Sequence, residues 1–447
     1  MVFTDNGVAK PMDTILYDHG ANLFRLRVFV NPQTTYTNTN FGAIQTQAYD
    51  IALAQQIKAH APGAKIMLDF HYSDTWADPG KQFLPAAWAT PPQTLTQLQT
   101  TVQSYTTDTL LAFKSAGVMP DFVQLGNETT GGIMWPTGKL IFHDASDNNP
   151  TKAQQNASWA AYGGLLNAAI AGVRAVEDPG QRIPIALSID RGDKNGQPQY
   201  HYGLIQSSTT VPVNGFTGGG VTDFDIEGVD FYPTANNLIA TMQSNLTTLA
   251  NTNYAAFIAD STANPDTHLP LKKIMVLENN YPWRNAGVGS SQWPKTPAGQ
   301  QAEFQAVRDL VMGLPHGDGL GVLYWYPEAV QVPGYNIYNG GATALFDDSH
   351  SALPALSVFE ITLQPGDFNR DGFVDAADYT VWRDGFGALY DEADYADWKA
   401  NFGAGGGGGG GSSAGASLSR AAVPEPASLL LIFAGLALGT CRRIIRN

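Results

Sequence analysis

Seven short apolar runs, separated by helix-like stretches, most strongly constrain the fold of this 447-residue chain. Strands that are apolar on both faces are typical of a parallel sheet covered by helices. The predicted strands are residues 23–30, 65–74, 121–128, 184–190, 224–233, 272–281 and 319–329. The main predicted helices between them are residues 48–60, 98–117, 157–176 and 298–314. Because no Gly-x-Gly-x-x-Gly loop accompanies the strands, the pattern favours an α/β fold of the (β/α)8 type, a TIM barrel, over a dinucleotide-binding fold.

One strand of the eight has no counterpart in the sequence. A helical stretch at residues 11–20 precedes the first apolar run, so its partner strand is expected upstream of Met1. Residues 1–10 carry neither the basic start nor the apolar centre of a signal peptide. We therefore expect the barrel in this chain to lack its first strand, with a signal peptide also encoded upstream. The alternative is that a strand within residues 1–10 closes the barrel.

Polar side chains collect where the predicted strands end, which is where the active sites of such barrels lie. They are Arg25, Arg27, Asp69, His71, Asp74, Asn127, Glu128, Asp190, Asp230, Tyr232, Glu278 and Glu328. Tryptophans lie near them, at positions 76, 88, 135, 283 and 325. Aromatic faces cover the apolar faces of sugar rings while polar groups bind the hydroxyls. A net charge of −15 argues against a nucleic-acid partner, so the pattern indicates a glycan site.

Glu128 and Glu278 end two strands that face each other across the mouth of a complete barrel. Glycoside hydrolysis needs two carboxyl groups, and a separation of about 5–5.5 Å predicts retention through a covalent intermediate. In this interpretation Glu128 is the acid/base and Glu278 the nucleophile, kept ionised by an arginine such as Arg25. Asn127 is placed to bind the sugar hydroxyl beside the reacting carbon. This chemistry requires no catalytic cofactor.

Five stretches carry a family resemblance: "GANLFRLRVFVNP", "LDFHYSDTWADPGKQFLPAAW", "VQLGNETTGGIMWPTG", "GVDFYP" and "ENNYPW". They resemble the strand ends of glycoside hydrolase family 53, the arabinogalactan endo-β-1,4-galactanases of the retaining barrel clan A. The resemblance spans residues 1 to about 360 and implies that Glu128 is the acid/base and Glu278 the nucleophile. It also implies that galactan is the substrate and that further side chains line its subsites: Arg25, His71, Asp74, Asn127, Tyr232 and Trp325. Trp76, Trp135 and Trp283 are further candidates for stacking against sugar rings.

The chain departs from this family's pattern at positions that border the substrate. Ser188 and Asp230 stand where the family usually has His and Ser. Residues 283–297 contain no carboxylate, so the calcium site that some bacterial members hold in that loop is not expected. Two alternatives stay open: a related retaining hydrolase that acts on mannan or xylan, and a non-catalytic glycan-binding surface protein inactivated by loss of the first strand.

A second module is expected after the barrel, which we assign to residues 1–362. Residues 363–403 contain "GDFNRDGFVDAADYTVWRDGFG", whose oxygen-bearing side chains have the spacing of an EF-hand-like calcium loop. The predicted ligands are Asp367, Asn369, Asp371, Asp375 and Asp378. The run "DAADYTVWRDGFG" recurs as "DEADYADWKANFG", in which the ligand-bearing half is missing, so one Ca²⁺ is expected. The segment resembles a duplicated dockerin module, which implies a protein partner; the alternative is an acidic linker without metal.

The C-terminal residues have the composition of a linker and a sorting tail. Residues 404–422 are rich in Gly and Ser, which is typical of a flexible linker. Residues 423–447 combine Pro-Glu-Pro, the short apolar run 428–440 and a basic end. This tail resembles a PEP-CTERM sorting signal, which implies export, sorting machinery at the membrane, and release or attachment at the cell surface through a short membrane segment. The single cysteine, Cys441, excludes a disulfide framework within the chain.

Overall fold

The computed structural model describes residues 1–38, 42–142, 150–208, 212, 215–234, 238–264, 270–286, 289–290, 292–360, 365–368, 374–385 and 391–404. The chain begins with an antiparallel hairpin, β1 (Phe3–Asp5) and β2 (Val8–Lys10), and helix α1 (Met12–Asp18) follows. The hairpin forms a sheet of its own. The alternative that residues 1–10 supply a strand of the barrel is therefore wrong.

Seven parallel strands form the main sheet, and neighbours in the chain are neighbours in space. The strands are β3 (Leu23–Val28), β4 (Lys65–Phe70), β5 (Phe122–Leu125), β8 (Ile185–Ile189), β9 (Ile226–Phe231), β10 (Lys273–Asn279) and β11 (Gly319–Tyr324). A small antiparallel pair, β6 (Gly132–Ile133) and β7 (Gly138–Lys139), lies between β5 and β8. All seven predicted strands are confirmed, each shorter than its apolar run because the last residues of the run form the loops that follow.

Helices connect the strands in the manner of a (β/α) barrel. They are α2 (Gln47–His60), α3 (Ala86–Ala89), α4 (Leu95–Ser115), α5 (Lys152–Arg174), α6 (Gln197–Gln206), α7 (Ile239–Ala263) and α8 (Pro297–Met312). Four of them begin after a threonine whose hydroxyl accepts a hydrogen bond from the first turn: Thr46, Thr94, Thr151 and Thr296. Each such cap contributes about 1 kcal/mol to stability. The sequence therefore marks where these helices begin.

The sheet curls around an apolar interior to which every strand contributes. The buried inward-facing residues pack as one cluster, with Leu23 and Phe122 against it: Met67, Ala186, Ile226, Met275, Leu277 and Leu323. The outer strands β3 and β11 do not pair with each other in the described part of the chain. A second apolar cluster joins α1 and residues 354–359 to them through Phe24 and Val322. The fold is the predicted TIM barrel, whose curled parallel sheet has seven strands in the described residues.

Two short helices follow the barrel sequence, α9 (Ala376–Gly385) and α10 (Glu392–Asn401). Their contacts are reciprocal: the Trp398 ring nitrogen donates to the Asp375 carbonyl at 2.6 Å, and that of Trp382 to the Asp391 carbonyl at 2.8 Å. Asp378 and Asp394 each accept a hydrogen bond from the backbone N–H of the aspartate three residues earlier. The repeat read from the sequence is thus a structural pair.

Several sequence features lie outside the described residues. They include the predicted ligands Asn369 and Asp371, linker residues 405–422, Cys441 and the apolar run 428–440. Among the helices that the structure does describe, none combines the length and the apolar character needed to cross a membrane.

Candidate active site

Arg25 is the centre of a hydrogen-bonded cluster at the strand ends. Side chains alternate between the two faces of a strand, and the registers of β3, β4 and β5 bring Arg25, Asp69 and Gln124 to the inner face together. The Arg25 guanidinium donates to Gln124 and Asp69, each at 2.8 Å, and to the Asn127 side-chain oxygen at 2.7 Å. It also donates to Glu278 at 2.8 Å. Because the Arg25 side chain is only 6% exposed, these charge-assisted bonds are shielded from water.

Glu278 reaches the interior because β10 is irregular. Met275 and Leu277 both pack inside the barrel, so strict alternation would direct the next residue outward. The register instead jumps from Val276 beside Val229 to Glu278 beside Asp230. The extra residue acts as a β-bulge and turns Glu278 inward, a use of bulges that is common next to active sites. Sequence periodicity alone does not predict this.

Both oxygens of Glu278 accept hydrogen bonds. Arg25 donates to Oε1, and the Tyr232 hydroxyl donates to Oε2 at 2.5 Å. Burial and the adjacent Glu278 carboxylate raise the pKa of Tyr232, which keeps this hydroxyl protonated as a donor. A carboxylate held by one cation and one hydroxyl is stabilised in its ionised form. Glu278 is thereby suited to act as an anion or a nucleophile.

Glu128 lies three residues beyond β5, in a tight turn. Its backbone has a left-handed conformation with φ of 44°, which is uncommon for a residue other than Gly. Its N–H donates to the Ser188 hydroxyl at 3.2 Å, and the Thr129 hydroxyl donates to the Ser188 carbonyl at 2.7 Å. The Gln82 amide donates to the Asn127 carbonyl at 2.7 Å. These bonds to β8 and the loop after β4 fix the turn that carries Glu128.

Three carboxyl groups converge in front of this turn. One oxygen from each of Glu128, Asp230 and Glu278 lies within 4.8 Å of the others. Burial raises the pKa of Glu128 well above its usual range, and the charges of Glu278 and Asp190 raise it further. Glu128 therefore keeps its proton while Glu278, bound to Arg25, is ionised. One proton donor and one anion at this separation match the arrangement of a retaining glycosidase.

Three oxygens this close together could also ligate a divalent cation. Here, however, the Arg25 guanidinium already neutralises Glu278, and Tyr232 occupies its second oxygen. A cation would have to compete with both donors. The hydrogen bonds to Glu278 therefore disfavour a metal ion at this cluster.

Sequence and structure comparisons identify the family. A model of glycosyl hydrolase family 53 matches residues 2–359. The chain belongs to this family. An arabinogalactan endo-β-1,4-galactanase of Thermothelomyces thermophilus is 30% identical over 366 residues, which cover 79% of this chain and 92% of that protein. A fungal β-1,4-galactanase structure superimposes with a TM-score of 0.62 at 28% identity, covering 80% of this chain and 93% of the other. The family 53 catalytic domain of Ignisphaera aggregans also has a TM-score of 0.62, at 27% identity and covering 80% and 90% of the two chains.

Membership of family 53 confirms the resemblance, the barrel fold and the assignment as a glycoside hydrolase. A second model, the PEP-CTERM protein-sorting motif, matches residues 422–446 and suggests export and association with a membrane. The residues that the two family models match do not include 363–403, so the dockerin-like interpretation and its calcium ion stay predictions.

In this family 53 barrel, two predicted substrate-binding tryptophans flank a second arginine. The Arg27 guanidinium lies 5.0 Å from the ring centre of Trp76, 4.9 Å from that of Trp325 and 4.8 Å from that of Tyr326. Trp325 also lies 5.8 Å from the Arg25 guanidinium, which links this aromatic group to the carboxyl cluster. Cation–π contacts of this kind hold the rings in place. The structure thus brings Trp76 and Trp325 to the edge of the site.

His71 lies behind the cluster. Its Nδ1 accepts a hydrogen bond from the Ala77 N–H at 3.1 Å, and its Nε2 lies 3.1 Å from Asp69 Oδ2. Burial is the largest influence on Asp69 and would raise its pKa, but Arg25, His71 and Arg27 together outweigh burial, and the net shift is downward. Asp69 is therefore an anion that orients Arg25. His71 orients Asp69 in turn.

The other predicted subsite residues have roles within loops. Asp74 accepts hydrogen bonds from the N–H groups of Asn31 at 3.0 Å and Ala86 at 2.9 Å, so it ties two loops together. The Trp135 ring nitrogen donates to the Gly131 carbonyl at 2.9 Å. Trp283 donates from its backbone N–H to the Ala342 carbonyl at 2.9 Å. No bond from these three residues to the two glutamates is among the contacts of the described residues.

Sequence reasoning missed three residues of the site. Gln124 lies on β5 within an apolar run, and only its inward register showed that it meets Arg25. Gln82 holds the backbone of the Glu128 turn from a loop over forty residues earlier. Tyr326, next to Trp325, completes the aromatic surround of Arg27. The inward period of β5 could have identified Gln124, and Gln82 lies within residues 68–88, one of the stretches that carry the family resemblance. No sequence signal singled out Tyr326.

Proposed function

We propose that this family 53 protein is an exported endo-acting β-1,4-galactanase that cleaves the galactan side chains of pectin with retention of anomeric configuration. The observation that carries the proposal is the pair formed by Glu128 and Glu278. Their carboxyl oxygens lie within 4.8 Å of each other, and of the two glutamates it is Glu278 that accepts hydrogen bonds from Arg25 and Tyr232. The similarity to arabinogalactan endo-β-1,4-galactanases supports the choice of galactan.

The mechanism proceeds by two displacements. Glu278 attacks the anomeric carbon, and the bond to the leaving oxygen breaks as Glu128 gives that oxygen its proton. A water molecule then attacks the glycosyl–enzyme ester and gives a proton to the Glu128 carboxylate, which restores both groups. Asn127, held by Arg25, is placed to bind the hydroxyl beside the reacting carbon. Two carboxyl groups supply all the proton transfer and covalent catalysis, so no catalytic cofactor is required.

Aromatic residues supply the binding surface for the polysaccharide. Trp76 and Trp325 stand together at the aromatic group around Arg27, with ring centres 5.8 Å apart. Trp135 and Trp283 are half-buried in loops after β5 and β10. We assign all four to galactan subsites, together with Asp74 and His71 as residues that hold the surrounding loops.

Release of reducing ends from purified β-1,4-galactan, mannan and xylan tests the proposal. We expect turnover on galactan, internal cleavage as shown by a rapid drop in viscosity, and β-anomers as the first products by NMR. Turnover on xylan or mannan alone would replace galactanase by another retaining hydrolase. Tight binding to galactan without any release would show a non-catalytic glycan-binding protein instead.

For the module that follows the barrel, we propose one Ca²⁺ held by Asp367, Asn369, Asp371, Asp375 and Asp378, and a protein partner of dockerin type. Asp367 and Asp378 are buried in the structure, which suits metal ligands more than solvated linker residues. Calorimetric titration of the chelated full-length chain with Ca²⁺ should give one site per chain, absent from D367N/D375N. The C-terminal motif further indicates sorting at the membrane and a final location at the cell surface or outside the cell.

A further inference from the structure

Asp230 is a buried acid that the two-displacement mechanism does not use. It is the second-last residue of β9, on the inner face, is 1% exposed, and stands beside Glu278 in the register of β9 with β10. One of its oxygens lies within 4.8 Å of both catalytic candidates, Glu128 and Glu278. Apart from this carboxyl cluster, neither Asp230 oxygen has a hydrogen-bond partner among the described residues. A buried carboxyl group without such a partner is costly to ionise.

The charges around Asp230 come from four elements. Glu278 faces it from β10, Glu128 from the turn after β5, Asp190 from the end of β8 and Arg25 from β3. Arg25 is the only cation of the four, and its guanidinium is already bound to Glu278 and Asp69 at 2.8 Å each. An ionised Asp230 would add an anion with no cation left to pair it. The neighbourhood therefore favours a protonated Asp230.

We propose that Asp230 is a positioning residue for the acid/base: it stays protonated and donates its hydrogen to the Glu128 carboxylate that forms during glycosylation. The inference rests on the proposed roles of Glu128 and Glu278. In the first step the Glu128 proton moves to the leaving oxygen, and the Asp230 proton remains on Asp230, hydrogen-bonded to the new carboxylate. In the second step the attacking water gives a proton to Glu128, and Asp230 is again unchanged.

The sign of one measurable effect follows from this arrangement. A hydrogen bond to the ionised form of an acid lowers its pKa, whereas a neighbouring anion raises it. Removing a protonated Asp230 should therefore raise the pKa of Glu128 and move the basic limb of kcat/KM to higher pH. Since one hydrogen bond to a charged group contributes on the order of one pKa unit, we expect a shift of about one pH unit. Removing an ionised Asp230 would move the same limb to lower pH.

The experiment compares the full-length chain with D230A and D230N. The asparagine keeps a neutral donor of the same shape, so we expect its basic limb to stay with the wild type while that of D230A moves up. We also expect D230A to lose about tenfold in kcat/KM below the limb, because the carboxylate formed on Glu128 loses its donor. A downward shift in both variants, or no shift in D230A, would overturn the proposal.

A second readout does not depend on activity. At neutral pH in D2O, a protonated Asp230 gives a carboxylic acid C=O stretch that should be missing in D230N, and infrared difference spectra measure it directly. Absence of that difference band would overturn the proposal even if D230A fails to fold. The pH comparison uses whichever glycan the wild type cleaves. A failure of the galactan assignment is thus distinguishable from a failure of the Asp230 inference.

Discussion

The strand-end cluster and the helical pair after the barrel use the same residue types in opposite ways. In the cluster, carboxylates are buried, and their partners are distant in the chain: Arg25 binds Glu278 across 253 positions. In the helical pair, the exposed Asp375 and Asp391 donate from their backbone N–H groups to the carboxylates of the buried Asp378 and the half-buried Asp394, only three positions away. Aromatic rings accompany both groups, as Trp325 beside Arg25 and as Trp398 stacked on Tyr395.

The difference shows what burial does to an acid. A carboxyl group removed from water must pair with a cation, stay protonated or take part in the reaction. The cluster contains an example of each: Asp69 is paired, Asp230 is protonated and Glu128 takes part in the reaction. An exposed aspartate at the start of a helix stays ionised in water and stabilises the first turn. We therefore expect the strand ends to carry out the reaction. We expect the helical pair to contribute stability or to bind a metal ion.

Removing either catalytic candidate tests this contrast most severely. E278A and E128A should each lower turnover on the natural polymer by about 10³-fold or more, because the reaction loses its nucleophile or its proton donor. The matched control is E392Q at the start of α10, where the side chain is exposed and turnover should stay at the wild-type level. Initial rates of reducing-end release measure all three.

Azide separates the two roles of the pair. It should rescue E278A by replacing the nucleophile, and E128A by attacking the glycosyl–enzyme, with glycosyl azides of opposite anomeric configuration. NMR of the products shows the anomeric configuration of the glycosyl azide that each variant forms. The same anomer from both variants would contradict the roles assigned to the two glutamates.

The bulge that turns Glu278 inward depends on Gly228. A Cβ at this position would stand 2.1 Å from Leu277 Cδ1 and 2.7 Å from the Leu187 carbonyl oxygen, so G228A has to displace the residue before Glu278. A displacement of about 1 Å costs about 100-fold in rate, and overpacking costs about 1–3 kcal/mol of stability. We expect G228A to fold with kcat/KM lowered by about that factor.

The control for this substitution is G164A on α5, where the added methyl group meets only the end of the flexible Gln99 side chain, at 2.4 Å. Its helical position favours Ala over Gly. Stability and kcat/KM of G164A should stay near wild type. Full activity in G228A would show that the bulge does not set the position of Glu278.

Because Glu303 is buried in helix α8 of the barrel, we expect the stability of the barrel to depend on pH. Burial raises its pKa from 4.5 to about 8, against the opposing hydrogen bond from Asn279. The folded state therefore holds a proton that the unfolded state releases between pH 4.5 and 8, and stability falls as the pH rises through that window. E303Q mimics the protonated form. Between pH 5 and pH 8 it should lose a few kcal/mol less stability than the wild type, since one pKa unit corresponds to about 1.4 kcal/mol.

Urea unfolding of wild type, E303Q and the exposed-site variant E392Q at both pH values checks this. E392Q should keep the wild-type dependence. If E303Q keeps it too, the proton is not held by Glu303.

Local sequence patterns predicted the strands and several helices of this molecule. Features that depend on contacts between distant residues could not be predicted in this way. The strands, the threonine-capped helices and the repeat of Asp375 in Asp391 all follow from short-range periodicity. The bulge before Glu278 and the left-handed turn at Glu128 depend on contacts with other strands, so no window of sequence contains them. For the same reason Gln82 and Asp230 acquired roles only when the strand ends were brought together.

The smallest effect is expected in the helical pair. It concerns whether the two equivalent tryptophans, Trp398 and Trp382, contribute equally to the stability of the pair. Trp398 is 4% exposed, donates to the Asp375 carbonyl and packs against Tyr379, Tyr395 and Phe402. Trp382 makes the equivalent bond to the Asp391 carbonyl but is half-buried. Stabilisation is proportional to the apolar area that a side chain buries. W398F should therefore lower the free energy of unfolding of the helical pair by about 2 kcal/mol, and W382F by about 1 kcal/mol or less.

Hydrogen exchange of residues 374–404 in the full-length chain gives these local free energies without separating the module from the barrel. Turnover of the glycan should stay at the wild-type level in both variants, since neither tryptophan belongs to the strand-end cluster. Equal losses would mean that the reciprocal hydrogen bonds, and not burial, determine the stability of the pair. A fall in turnover would break the contrast between the two regions, because it would show that the helical pair supports the catalytic cluster.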